Sequence, residues 1–495
     1  MLRPRVISCR APAPAQAGRA LAPAVLAAAL AFVPACDSEP EPPSAPRGAP
    51  TPREIAFLDT LEQRTFAFFW ERSDPRTGLT PDRWPTRSFS SIAAVGFALT
   101  AYPIGVERGY VARAEAAERA LRTLRFFWEA PQGPEPGGTT GHRGFFYHFL
   151  DLDTGRRYQR VELSTIDTAL LLAGALFVQS YFDRADPTED AVRRYADSLY
   201  RRADWRWAQP RPPRVAHAWT PEEGFSTYDW SGYDEAMLLY VLALGSPTFP
   251  VDPAAWDAWT STYRWGEFYG QAHVGFAPLF GHQYSHVWID FRGIQDRYLR
   301  ARGLDYFENS RRATYAQRAY AAANPGGWTG YGADLWGLTA SDGPGDLTLA
   351  VGGRPRRFYG YAARGASFTE VRDDGTIAPT AAGGSLPFAP EIALPALIAI
   401  RERHGDLIFG PYGFLDAFNE SFPADAPATQ GRVVPGRGWF DTDYLGIDQG
   451  PILAMVENYR TGLVWSYMRR NPHIVRGLRR AGFTGGWLAT APGTP

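Results

Sequence analysis

The sequence predicts an all-α fold, an (α/α)6 barrel with long aromatic and Gly-rich loops over one end. Three observations predict it. Six segments are apolar and rich in small residues over most of their length: 88–102, 162–181, 232–245, 283–291, 388–402 and 447–459. The segments between them are amphipathic, with Arg and Glu gathered on one face. No run of period-two alternation is long enough for a central sheet. A helix that is apolar all round is buried on every side. Amphipathic neighbours that bury such helices form a second layer outside the first. Antiparallel pairs in succession point every inner helix the same way, so the inner N-termini meet at one end.

Each element has a local reason. Residues 54–71 place Ile55, Leu58, Leu61, Phe66, Phe69 and Trp70 on one helical face. Asp74-Pro75-Arg76-Thr77-Gly78 is a turn with the Pro and Gly that turns use. SFSSIAAVGFALTAY (88–102) carries no charge, whereas 108–128 is rich in Arg and Glu. FFYHFLDLDTGRRY (145–158) reads as a hairpin, with Asp153-Thr154-Gly155 near its turn. The apolar 162–181 is followed by the charged 188–203, and WSGYDEAMLLYVLALG (230–245) by the more polar 253–263. QYSHVWIDF (283–291) is followed by the Arg-rich 305–323. The Gly-rich passage 324–384 holds Trp328, Tyr331, Trp336, Tyr359 and Tyr361 and reads as functional loops. FAPEIALPALIAIRE (388–402) is apolar, 409–418 is a shorter amphipathic piece, 447–459 is apolar at its start, and 472–481 is a terminal helix.

The 495 residues are 45% hydrophobic and 14% aromatic, with 16 Trp, which suffices for a large core. A formal charge of −1 argues against a nucleic-acid partner. Every basic side chain is Arg, a composition we read as genomic bias. Arg3, Arg5, Arg10 and Arg19 precede an apolar run, 21–33, too short to span a bilayer. Val33-Pro34-Ala35-Cys36 then resembles a bacterial lipobox. Residues 1–35 are therefore expected to be a signal peptide, with lipid on Cys36 anchoring an exported protein to a membrane. The Pro-rich 36–53 is a spacer, 54–482 the folded domain and 483–495 a tail. Removal of Cys9 with the leader leaves no pair for a disulfide. A monomer is expected.

Ionisable residues recur at the mouths of the apolar helices: Glu162 and Asp167, Asp234 and Glu235, His286 and Asp290, Glu391, and Asp448. A helix N-terminus favours one negative charge by about 0.3–1 kcal/mol, so capping explains any one of them. Five helices of six with such groups at one end form a site. A carboxylate ring beside aromatic loops fits glycoside hydrolysis, where a protonated carboxyl serves the leaving oxygen and an ionised one activates water. Trp230, Tyr233, Trp288, Trp328, Trp336 and Trp439 are the aromatics available for sugar stacking. No Cys/His cluster has zinc spacing, so no metal and no cofactor are expected. His282 and His286 lie four apart without the glutamate of a zincin, Gly-x-Ser-x-Gly is absent, and Asp373-Asp374-Gly375 reads as a turn with calcium the lesser alternative.

The segments ELSTIDTALLLAG (162–174), WSGYDEAMLLYVLALGSP (230–247), FAPLFGHQYSHVWIDFRG (276–293), YGADLWGLTASDGP (331–344) and YLGIDQGPILAMVENYRTGLVW (444–465) resemble the glucoamylase-like family. That family includes the endo-β-1,2-glucanases of glycoside hydrolase family 144, and a related domain occurs in cyclic β-1,2-glucan synthases. The resemblance runs in consistent order over residues 54–482. It implies an (α/α)6 barrel and an anomer-inverting hydrolase of β-1,2-glucans with Glu235 as general acid. Glu162, Asp167 and Asp448 become the base or its relay, with water activated directly or through a substrate hydroxyl. Substrate contacts are expected from Trp230, Tyr233, Asp234, His282, His286, Trp336, Trp439 and Gln449. Two rival readings are a polysaccharide lyase using His282, His286 and Tyr284, and a non-catalytic glycan-binding lipoprotein.

Overall fold

Short antiparallel strands, of which the sequence predicts only the hairpin at 145–158, stitch together the mouths of the buried helices. They come from a computed structural model that describes residues 49–491. Ser90–Ser91 leads into helix α2 and pairs with Phe149–Leu150. Leu163–Ser164 leads into α4 and pairs with Phe146-Tyr147 on one side and Ala218-Trp219 on the other. Tyr444–Leu445 leads into α13 and pairs with Arg83–Trp84. The segment 141–225 forms a five-stranded antiparallel sheet, so the fold is helix-rich and not all-α. The expected signal peptide, Cys36 and most of the expected spacer lie outside the described residues.

The helices in chain order are α1 (Pro52–Arg72), α2 (Ile92–Glu107), α3 (Arg113–Glu129), α4 (Thr165–Tyr181), α5 (Pro187–Arg202), α6 (Ala236–Gly245), α7 (Ala254–Thr260), α8 (Tyr284–Trp288), α9 (Arg297–Arg300), α10 (Tyr306–Ala323), α11 (Pro379–Gly384), α12 (Pro390–His404), α13 (Gly446–Arg460), α14 (Leu463–Met468) and α15 (Pro472–Arg480). All of α6, α8 and α11 is buried, as is nearly all of α2, α4 and α13. Amphipathic helices cover them: α1 on α2 and α13, α3 on α2, α5 on α4, and α15 on α6.

The apolar, small-residue composition has a geometric use. A Cβ built on Gly174 would stand 2.1 Å from the carbonyl oxygen of Gly96, and one on Gly96 2.4 Å from that of Leu170. Helices α2 and α4 therefore cross backbone against backbone, which only glycine permits. Around them a single apolar cluster runs from Phe57 to Leu488. Among the described residues no helix is long and apolar enough to cross a membrane.

Three elements differ from expectation. Segment 283–291 supplies only the five-residue α8, preceded by a 3-10 turn at Leu279–His282. Segment 388–402 is α12, which keeps several partly exposed residues, and the wholly buried α11 packs against α13. Segment 409–418 is a strand hairpin, Phe409–Gly410 with Gly413–Phe414, followed by the strand Phe418–Asn419. The packed body also continues past 482, for Phe483 meets Trp256, Phe291 and Tyr306, and Leu488 is buried.

The Gly-rich passage is organised around one buried cation. Arg364 has no solvent exposure and makes a bidentate pair with Asp374, with Nε–Oδ1 at 2.7 Å and Nη2–Oδ2 at 2.9 Å. Its remaining N–H groups donate to the carbonyls of Ser341, Tyr359 and Gly360. Asp373 accepts from the hydroxyls of Tyr320 and Tyr331. Asp373-Asp374-Gly375 is thus an internally paired turn, and the calcium alternative for it falls away.

Candidate active site

The strand pairings bring His148 beside the start of α4, where it joins two predicted acids. His148 Nδ1 is 2.7 Å from Glu162 Oε1, and its Nε2 is 3.5 Å from Asp167 Oδ2. Burial disfavours charge on this imidazole, but Asp167, Glu162 and Asp82 outweigh it and push the group up to about 9. Burial likewise opposes charge on Glu162, yet the His148 hydrogen bond wins and holds its carboxyl below the usual range. Ser164 caps α4 by accepting the backbone N–H of Asp167 and donating its hydroxyl to the Asp167 carboxylate. The N-terminal Asp167 is therefore fixed by its own helix and faces an imidazolium.

Glu235 stands at the mouth of α6 and does not cap it through its side chain. Ser285 holds its backbone in place, donating to the Glu235 carbonyl at 3.1 Å while accepting from Leu238 N–H at 3.0 Å. Glu235 is half-buried, and burial followed by the charge of Asp167 pushes its carboxyl up to about 7. Asp234 is more deeply buried and accepts from Ala236 N–H at 3.0 Å. Burial and then Glu235 drive it well above the ordinary carboxylate range.

Asp448, in the first turn of α13, is buried among acids that no sequence pattern marks. Burial pushes it up to about 7; Asp342 and Asp82 add to the rise, while Asp416 and Arg83 oppose it. Burial and then Asp448 raise Asp416 well above its ordinary value. Tyr284 is close enough to both halves of the site for Asp448 and Glu235 to act on its phenol after burial. Tyr361, 46% exposed, feels Asp448, Asp416, Asp82 and Asp342 in the same way.

Most predicted sugar contacts are core. The Trp230 indole donates to Thr165 Oγ1 and stacks on His217 at 4.0 Å, so one face is already covered. Tyr233 is buried and stacked on Tyr306. Trp336 and Trp439 are wholly buried, and Trp439 donates to Gln430 O. Trp288 stacks on Phe97, and Trp328 lies under Arg356. His282 and His286 are buried, facing Phe276 O and Ser310 Oγ, and burial depresses both to about 3. Gln449 donates to Phe414 O inside the core. Asp290 follows α8 and is paired with Arg292 and Arg469, and Glu391 is bound by Arg311 and Tyr315. The structure thus places Tyr233, Trp336, Trp439, His282, His286 and Gln449 in the core and not on an open face. His148, Asp342, Asp416, Asp441 and Tyr361, none of them among the predicted site residues, lie beside the predicted acids. His148 sits in the predicted hairpin, between the strands Phe145–Tyr147 and Phe149–Leu150, where its spacing alone gives no signal.

Fold and site together define a helix-rich protein whose buried helix mouths carry carboxyl groups of opposed proton affinity. The family model described as "Putative glucoamylase" matches residues 227–472. A crystal structure from Bacteroides uniformis described in the same words is 32% identical, with a TM-score of 0.75, and covers 88% of this chain and 98% of its own. The chain belongs to this glucoamylase-like family. An endo-β-1,2-glucanase from Chitinophaga pinensis, solved with sophorotriose and glucose, is 27% identical with a TM-score of 0.74, covering 88% of this chain and 99% of its own. An exo β-1,2-glucooligosaccharide sophorohydrolase of Parabacteroides distasonis is 28% identical over 458 residues, which is 86% of this chain. The chain spans 57% of the length of that relative.

Proposed function

We propose that the protein is a glycoside hydrolase that cleaves β-1,2-linked glucan with inversion, on an (α/α)6 barrel whose inner helices are α2, α4, α6, α8, α11 and α13. The activities named for the Chitinophaga and Parabacteroides relatives support the substrate class. One observation carries the mechanism: Glu235 is pushed up to about 7 while Glu162, bound to His148, is held below its ordinary value. Two carboxyls whose environments separate their proton affinities make an acid and a base. Glu235 keeps its proton near neutrality and delivers it to the glycosidic oxygen as the bond to the anomeric carbon breaks. Water enters from the opposite face and gives its proton to Glu162, Asp167 or Asp448, directly or through a sugar hydroxyl. Partly exposed Tyr361 supplies an aromatic face beside these acids.

The lyase reading is disfavoured, because His282 and His286 are buried and bonded within the core, and Tyr284 is buried with its phenol held well above its ordinary range by burial and the nearby acids. Residues 1–35 and Cys36 make the protein an exported lipoprotein in this proposal, an assignment tested by radiolabelled palmitate incorporation into wild type and Cys36→Ala. Activity is tested by incubating purified protein with β-1,2-, β-1,3-, β-1,4- and α-1,4-glucans and reading products by NMR. Release of α-anomeric ends from β-1,2-glucan alone is the expected result. Retained β configuration, unsaturated ends or no turnover would each reject the mechanism.

A further inference from the structure

Behind Asp448 lie three aspartates that each use one carboxylate oxygen for anchoring and leave the other with no partner outside the acids themselves. Asp342 follows the strand Ala340–Ser341, Asp416 precedes Phe418–Asn419, and Asp441 follows Gly438–Phe440. Asp342 Oδ2 accepts from Arg83 at 2.6 Å. Asp416 Oδ2 accepts from Asp342 N–H at 2.7 Å. Asp441 Oδ1 accepts from the N–H groups of Thr442 and Asp443 at 2.7 and 3.3 Å. The other oxygens, Asp342 Oδ1, Asp416 Oδ1 and Asp441 Oδ2, are buried with no hydrogen-bond partner outside the acids themselves, and so is Asp448 Oδ2, whose carboxyl is within hydrogen-bonding reach of that of Asp416. None of the four residues is more than 2% exposed.

Ligand oxygens of Asp342, Asp416 and Asp441 lie within 4.8 Å of one another. That matches the width of a calcium coordination sphere, twice about 2.3–2.6 Å. Among the described residues, Arg83 is the one guanidinium paired with a carboxylate of this group, reaching Asp342, Asp82 and Asp443, while Arg364 donates to the Asp342 carbonyl and is itself paired with Asp374. Buried carboxylates in such excess over positive charge must either hold a cation or keep protons. The donor set is all oxygen, which selects a hard cation over zinc or copper.

We infer that Asp342, Asp416 and Asp441 form a calcium site that ties together the loops following residues 341, 414 and 440. Asp448 borders the ion through Asp416, and water completes its sphere. The site holds three chain segments far apart in sequence against the mouth of α13, so calcium is a fold-stabilising ligand whether or not the protein cleaves glucan.

The test uses the purified chain after removal of metal with a chelator. Calorimetric titration with calcium chloride is expected to give one ion per chain. Thermal unfolding in about 1 mM calcium is expected about 2 °C or more above unfolding in chelator. Magnesium at the same concentration is expected to give the smaller shift. Asp441→Asn is expected to keep the circular-dichroism spectrum and lose the calcium-dependent shift. Terbium emission excited through the protein's aromatics, and abolished by calcium, checks the site in wild type should the variant not fold. No heat of binding and equal unfolding temperatures in calcium and chelator would overturn the inference, since shared protons would then neutralise the cluster. A response to magnesium alone, or an undiminished shift in folded Asp441→Asn, would overturn the assignment of ion or residues. Each readout is binding or stability, so failure here leaves the hydrolase proposal standing.

Discussion

His148 lies between two acids of α4's mouth, with Nδ1 2.7 Å from Glu162, and the two residues set each other's charge. The imidazole is raised from 6.5 to about 9. A raised basic group contributes stability that is complete below its unfolded value and is lost as pH climbs through its folded one. Wild type is therefore expected to lose stability between about pH 6.5 and pH 9 on this account, and His148→Gln to show a flatter profile over that window. Melting temperatures across the window check it; parallel profiles for the two proteins would refute the charge assignment.

Glu235 is expected to set the alkaline limb of the reaction. Its carboxyl is raised to about 7, so the proton-donating form disappears above that pH. The kcat/KM for β-1,2-glucan should fall above about pH 7 in wild type. Glu235→Gln should lower kcat by roughly 10²–10⁴-fold, the usual worth of a general acid, while oligosaccharide binding survives. Calorimetry with a β-1,2-linked oligosaccharide separates the two effects. A variant that turns over normally would remove Glu235 from the mechanism.

Much of this site was legible in the sequence because acids at apolar helix mouths break a strong pattern. Glu162, Asp167, Asp234, Glu235 and Asp448 all stand near α4, α6 or α13, and the structure places them in one electrostatic neighbourhood. His148, Asp342, Asp416 and Asp441 were not legible, because they sit beside strands of only two or three residues. Strands so short have no periodicity, and their pairings join residues far apart in the chain. Tryptophan misleads in the other direction. Trp336 and Trp439 look like sugar platforms in the sequence, but Trp336 belongs to the main apolar core, and Trp439 packs with Trp328, Phe358 and Phe422 in a smaller one.

The crossing of α2 and α4 depends on two glycines rather than on large side chains. A methyl group on Gly174 would meet the Gly96 carbonyl oxygen at 2.1 Å, and backbone has little room to yield. Gly174→Ala is expected to destabilise by about 1–3 kcal/mol, the usual cost of overpacking. Because both changes push the same two helices apart, at neighbouring contacts, Gly96→Ala combined with Gly174→Ala should cost less than their sum. Urea unfolding of the two single variants and the double variant measures the coupling. A neutral Gly174→Ala would mean that the helices are free to separate at this point.

Arg364 gives the sharpest test of how the Gly-rich passage is held. It pairs with Asp374 through two hydrogen bonds, and both side chains are fully buried. Burial opposes charge on both partners, yet the pair holds Asp374 below the ordinary carboxylate range. Removing only the cation strands a buried carboxylate and frees the carbonyls of Ser341, Tyr359 and Gly360, at a cost of about 3–5 kcal/mol. Arg364→Met should therefore unfold well below wild type. Lysine cannot reproduce the planar fork, so Arg364→Lys should recover only part of the loss. Limited proteolysis should cut both variants first within 340–375, because that passage loses its internal anchor before the helices lose theirs. Cleavage beginning elsewhere would show that the loops are held by their hairpins and not by Arg364.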